Sequence, residues 1–230
     1  MKNFFKLVIA VLLIPTAFFG AAEVLGGFWN VLKDFQTAIE LLAGGALYLA
    51  IHFCGYHFDR MYVFGHETTH AAAAMLFGFR VHSMQVGRDS GYVKMDRTNA
   101  AVVLAPYIVP FYAVVAALIY AAAAIVLADV TPYRPVFVFL VGFFMMFHWV
   151  QTCKTLWETQ QPDLKLAGGR VFSVVVIILA NAVVLALVLK CLFPDKVLLG
   201  QMVRATAVST YNLWKIVINY IVEQILSSRA

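Results

Sequence analysis

Residues 66–70 read His66-Glu67-Thr68-Thr69-His70, the pattern H-E-x-x-H. On a helix, side chains four apart lie on one face, so both imidazoles point at one place with Glu67 beside them. Two neutral imidazoles and an adjacent carboxylate form the working set of zinc hydrolases. The histidines hold the ion, the ion lowers the pKa of a water to about 7, and the carboxylate takes its proton. His66 and His70 are therefore the candidate metal ligands, zinc the candidate cofactor, and Glu67 the candidate catalytic residue. Glu67 would act as general base on that water. A catalytic zinc takes a third protein ligand, which must come from elsewhere in the chain.

The elements that must position these groups are unusually apolar. The motif sits in "VFGHETTHAAAAMLFG" (63–78), within a chain of 230 residues that is 63% hydrophobic and 13% charged. That composition belongs to a polytopic membrane protein. A spanning helix needs about 20 mostly apolar residues, and segments 4–22, 37–56, 60–79, 100–127, 135–157 and 171–192 are the candidates. The expected fold is all-α, a membrane helix bundle of about five to six spanning helices. The polar stretch 80–99 alternates Val81, Met84, Val86, Tyr92, Val93 and Met95 around Gly87 and Gly91, which predicts a small β-hairpin after the zinc-binding helix. Pro106 and Pro110 interrupt the fourth segment. Gln161-Pro162 should stop any helix in the polar connector 158–170. The tail, 195–230, is amphipathic and suited to the membrane interface.

Three parts follow: N-terminal membrane segments (1–58), a core carrying the motif (59–193) and the tail (194–230). Residues 1–22 have the layout of a signal peptide, with Lys2 and Lys6 ahead of an apolar run and Gly20-Ala21-Ala22. They are read as an uncleaved helix that Pro15 can kink. The net charge of +5 is spread between apolar runs and forms no tract, which argues against a nucleic-acid partner and for the lipid bilayer. Cys54, Cys153 and Cys191 have no paired spacing, so neither a disulfide framework nor a thiolate zinc site is expected. Arg80, Arg88, Lys94, Arg97, Lys154, Lys165 and Arg170 fall on one side and mark it as cytoplasmic, whereas Lys2 and Lys6 pull the other way. The expected setting is a multi-pass protein of the bacterial cytoplasmic (inner) membrane.

An ionisable group at bilayer depth costs at least about 2.5–3.5 kcal/mol and is functional by default. Three such groups in five residues call for something that uses them; stray polar residues facing the bundle interior are the plainer reading. The H-E-x-x-H in a membrane helix, the four alanines 71–74 after it, Gly78 and Val81, and the β-like stretch that follows resemble the site-2 protease family of intramembrane zinc metalloproteases. The likeness covers about residues 60–192. It implies hydrolysis of peptide bonds in or near transmembrane segments of membrane-protein substrates, which unwind locally. It also implies a third ligand, an aspartate in an L-D-G motif on a later membrane helix.

This sequence has no L-D-G. Two residues stand in its place: His148 in "FFMMFHWVQT", and Asp163 in "TQQPDLKLAGGR", which precedes Gly-Gly-Arg. At 1.5 Å per residue, His66 and His70 lie roughly 9–15 Å along their helix, and His148 lies about 20 Å along a segment entered from the same side. Asp163 falls past the far end of that segment unless the 158–170 connector folds back. Depth therefore favours His148 and keeps Asp163 as the alternative.

A protease must hold its substrate extended. Ser90-Gly91-Tyr92-Val93 could bind it by strand addition, as the resemblance implies; a plain surface hairpin is the other reading. His52, His57 and His82 suit the interface, and Gln151, Thr152 and Asn181 suit interhelical hydrogen bonds. A non-proteolytic metal-binding scaffold or transporter would use the same histidines. The apolar segments are nearly bare of further ionisable residues, which argues against a transport path.

Overall fold

A computed structural model describes residues 2–157 and 162–228, without the side chains of residues 2 and 3. The charge of Lys2 and the stop at Gln161 lie outside the described residues. The rest forms nine α-helices and one two-stranded antiparallel sheet. In chain order these are α1 (Lys2–Leu32), α2 (Phe35–Phe53), α3 (Asp59–Leu76), β1 (Val81–Val86), β2 (Gly91–Met95), α4 (Ala100–Ile108), α5 (Phe111–Val126), α6 (Arg134–Trp157), α7 (Pro162–Ala167), α8 (Arg170–Leu192) and α9 (Leu199–Ser227).

The elements begin and end where local chemistry dictates. Asp34 caps α2 by accepting from the Thr37 backbone N–H at 2.9 Å, and Asn99 caps α4 by accepting from that of Val102 at 2.9 Å. The hairpin turns through Gly87, whose N–H donates to the Ser90 carbonyl at 2.9 Å. The fourth apolar segment breaks at Val109-Pro110, where α4 and α5 meet at 76°.

Two expectations change. The first helix does not stop near residue 22. It runs on to Leu32 with Pro15 inside it, because Val24 and Val31 continue its buried face into the main core. The number of spanning helices is also lower than five to six. Among the described residues, three runs are long and apolar enough to cross a membrane: Phe4–Leu32, Thr131–Trp157 and Arg170–Leu192. The bent pair α4–α5 makes a fourth if it counts as one span. The segment of α2 carries Gln36, Glu40 and His52, and that of α3 carries Asp59, Arg60, His66, Glu67 and His70; these polar residues take both below the apolarity of the others. The chain is thus a helical membrane protein with fewer spans than its apolar segments suggest.

Packing explains how polar helices are held. Gly44 of α2 and Gly142 of α6 leave no room for a Cβ: one at Gly44 would strike the Phe139 backbone, and one at Gly142 the Leu41 backbone. The α2 and α6 backbones therefore touch, a small-residue contact typical of membrane bundles. The largest core joins Val31, Leu41, Ala117, Val141, Leu185 and Leu189 from five helices. The tail helix α9 has no buried residue and leaves Tyr211, Ile216 and Ile218 exposed.

Candidate metal centre

Helix α3 presents His66 and His70 on one face, ring centroids 4.8 Å apart. The helix can pack closely here because Gly65 has no side chain; a Cβ would lie 3.0 Å from the Tyr112 ring. The Nε2 atoms of both histidines lie 3.8 Å from the same oxygen, Asp163 Oδ2. One ligand atom from each of the three residues falls within 4.8 Å of the others, so the group could hold a metal ion. A tetrahedral ion with bonds of about 2.0–2.2 Å sets its ligand atoms about 3.3–3.6 Å apart. The observed 3.8 Å separations need only a few tenths of an ångström of contraction.

The donor set is chemically apt as well. His70 Nδ1 lies 2.9 Å from the Val102 carbonyl, and toward a carbonyl it can only donate. That fixes the proton on Nδ1 and leaves the Nε2 lone pair facing Asp163, the usual arrangement behind a metal-bound imidazole. His66 Nδ1 is buried without a hydrogen-bond partner among the described residues. Burial would raise the Asp163 carboxyl, but its contacts with His66 and Tyr107 and the nearby imidazole of His70 outweigh this and hold it below the ordinary carboxylate range.

Asp163 reaches the site because the connector folds back, the one condition under which depth allowed it. The described part of the connector, from Pro162, forms α7. Its Leu164 and Ala167 are buried among Val103, Leu104, Tyr107 and Ile177 of α4 and α8. Gly168 and Gly169, at φ 132° and 101°, then turn the chain into α8, a conformation that favours glycine. The Gly169 N–H donates to the Leu164 carbonyl at 2.8 Å, and Lys6 Nζ to the Ala167 carbonyl at 2.7 Å. The favoured third ligand, His148, is placed elsewhere. It is buried on α6 with Nε2 3.2 Å from Asn181 Oδ1, and it is not in the three-residue group. Depth along a helix says nothing of which way a side chain faces.

Glu67 is 7% exposed and lies under the hairpin. A Cβ at Gly91 would be 2.7 Å from Glu67 Cγ, so strand β2 rests against this side chain. Glu67, His66, Asp163, Tyr107, Ser90 and Gly91 line one open cleft of about 760 Å³. Of the four residues expected to meet a substrate, Ser90 and Gly91 line this cleft, whereas Tyr92 and Val93 are not among its lining residues. Tyr92 and Val93 pair with Gln85 and Met84 of β1.

None of the remaining polar candidates belongs to the three-residue group. His52 and His57 face each other with Nδ1 atoms 3.3 Å apart, and His82 lies exposed on β1. Gln151 donates to the His57 carbonyl at 3.0 Å. The sequence did not single out Tyr107, whose hydroxyl donates to Asp163 Oδ2 at 2.7 Å. Its only sequence signal is a phenol beside Pro106 in an otherwise apolar run. Comparison of the chain with protein-family models, curated proteins and solved structures gives no match.

Proposed function

We propose that this chain is an intramembrane zinc metallopeptidase, similar to the site-2 proteases, that hydrolyses peptide bonds in or near transmembrane segments of bacterial inner-membrane proteins. The observation that carries the reading is the convergence of His66, His70 and Asp163, with His66, Asp163 and the buried carboxylate of Glu67 lining one cleft that the hairpin borders. Two imidazoles and one carboxylate are the protein ligands of a common catalytic zinc site. When bound, the ion supplies Lewis acidity, polarising a carbonyl and acidifying a water.

The protein's own groups do the rest. His66, His70 and Asp163 hold and orient. Glu67, next to a ligand in sequence and facing the same cleft, accepts a proton from the attacking water and returns it to the departing amine. Gly91 lets the hairpin lie against Glu67, which brings an extended segment at Ser90 and Gly91 beside that carboxylate.

The test is Glu67→Gln in protein reconstituted in lipid with a set of single-span membrane substrates. Loss of a general base lowers cleavage by about 10²–10⁴-fold, and the amide leaves all three ligands in place, so zinc content should not change. Cleavage at the wild-type rate by this variant would refute the mechanism. Zinc binding by wild type with no cleavage of any substrate would instead favour the metal-binding scaffold.

A further inference from the structure

We infer that Tyr107, Asn181 and His148 form a buried support that aims Asp163 Oδ2 at the two histidines, with Tyr107 as the positioning residue for the third metal ligand. The inference rests on the metal-site reading above. Asp163 sits on a six-residue helix, too short to fix a carboxylate by itself. The Tyr107 hydroxyl, in a side chain 1% exposed, donates to Oδ2 at 2.7 Å. That same oxygen lies 3.8 Å from each histidine Nε2. A carboxylate oxygen has two lone-pair directions. The phenol occupies one and leaves the other for the histidine side. The hydrogen bond thereby fixes the direction in which Oδ2 faces the two imidazoles.

Tyr107 is in turn held by its backbone. The residue four on is Phe111, beyond the 76° break, and the residue three on is Pro110, which has no N–H. The Tyr107 carbonyl is thus one of the unpaired carbonyls at the end of α4. Asn181 Nδ2 on α8 satisfies it at 2.8 Å and also donates to the Ile177 carbonyl at 3.0 Å. With the amide nitrogen giving to two carbonyls, Asn181 Oδ1 must accept, so the nearby His148 Nε2 carries a proton. That nitrogen has no lone pair for a metal. His148 braces Asn181, Asn181 braces the end of α4, and Tyr107 transmits this to Asp163. Three helices thereby set the direction of a ligand that arrives on a connector.

The experiment measures zinc affinity by competition with a chromogenic chelator, and the visible spectrum of the cobalt-loaded protein, in detergent-purified full-length chain. Outer-shell groups are typically worth about 10–100-fold in metal affinity. Tyr107→Phe should weaken zinc by that factor with little change in melting temperature. Its cobalt bands should change in position or intensity as Oδ2 loses its fixed direction. His148→Gln, whose amide can still donate to Asn181, should bind zinc within a few-fold of wild type; Asn181→Ala should weaken it. Wild-type affinity and cobalt spectrum in Tyr107→Phe, with zinc lost in Asp163→Ala, would overturn the support while leaving the metal site standing. Undiminished zinc binding in His66→Ala and His70→Ala would overturn the metal site and the support with it.

Discussion

Replacing Gly91 by alanine adds one methyl group at the contact between the hairpin and Glu67. Gly91 has no positive φ, so alanine is allowed by the backbone and the effect is steric. The new Cβ would lie 2.7 Å from Glu67 Cγ, 2.7 Å from the Gln85 carbonyl oxygen and 2.8 Å from Val63 Cγ1. Ordinary carbon contacts begin near 3.5 Å, so these atoms must separate by about 0.7–0.8 Å. The Gln85 oxygen belongs to the paired strand and cannot give alone. Either the whole hairpin lifts from α3, or Glu67 leaves its rotamer. Overpacking of this kind costs about 1–3 kcal/mol, and a misplacement near 1 Å in an active site can cost about 10²-fold in rate. The assay is cleavage in lipid alongside zinc content and melting temperature. Zinc content should stay at the wild-type level, since the three atoms nearest the new methyl belong to Gln85, Glu67 and Val63 and to none of the ligands, while cleavage falls by one to two orders of magnitude. A Gly91→Ala protein that cleaves as wild type would refute the claim that hairpin contact positions Glu67.

Other outcomes follow from the same geometry. Leu164→Ala removes a side chain buried under α7 and should cost about 2–5 kcal/mol locally. Because that burial holds the connector back, zinc affinity should drop although Leu164 is no ligand; calorimetric zinc titration checks this. Gly142→Val forces α2 from α6 at the Leu41 backbone and should lower the melting temperature by several degrees, seen in a thermal shift in detergent. Stripping the ion with a chelator should also lower the melting temperature, since a ligand at 100 times its Kd stabilises by about 2.7 kcal/mol. A chelator-insensitive transition would count against a bound ion.

Much of this arrangement is local and therefore legible in sequence. His66, Glu67 and His70 need only helical spacing to share a face, and the hairpin needs only alternation around Gly87 and Gly91. Pro110 marks the break between α4 and α5 for the same reason. The parts that sequence does not carry are set by partners distant in the chain. Asp163 becomes a neighbour of the histidines through the burial of Leu164 and Ala167, whose polar surroundings read as a plain connector. His148 lies at a compatible depth but turns to Asn181, and Tyr107 has a role only because Asp163 arrives. The first apolar run ends near residue 22, yet tertiary contacts of Val24 and Val31 carry α1 on to Leu32.

The most direct test of the central claim is metal content per chain in four single variants purified side by side. With His66, His70 and Asp163 as the ligands, wild type should carry about one zinc. The His66→Ala, His70→Ala and Asp163→Ala proteins should carry almost none, and His148→Gln should keep its metal. Zinc retained by Asp163→Ala and lost from His148→Gln would contradict the account and return the third ligand to α6.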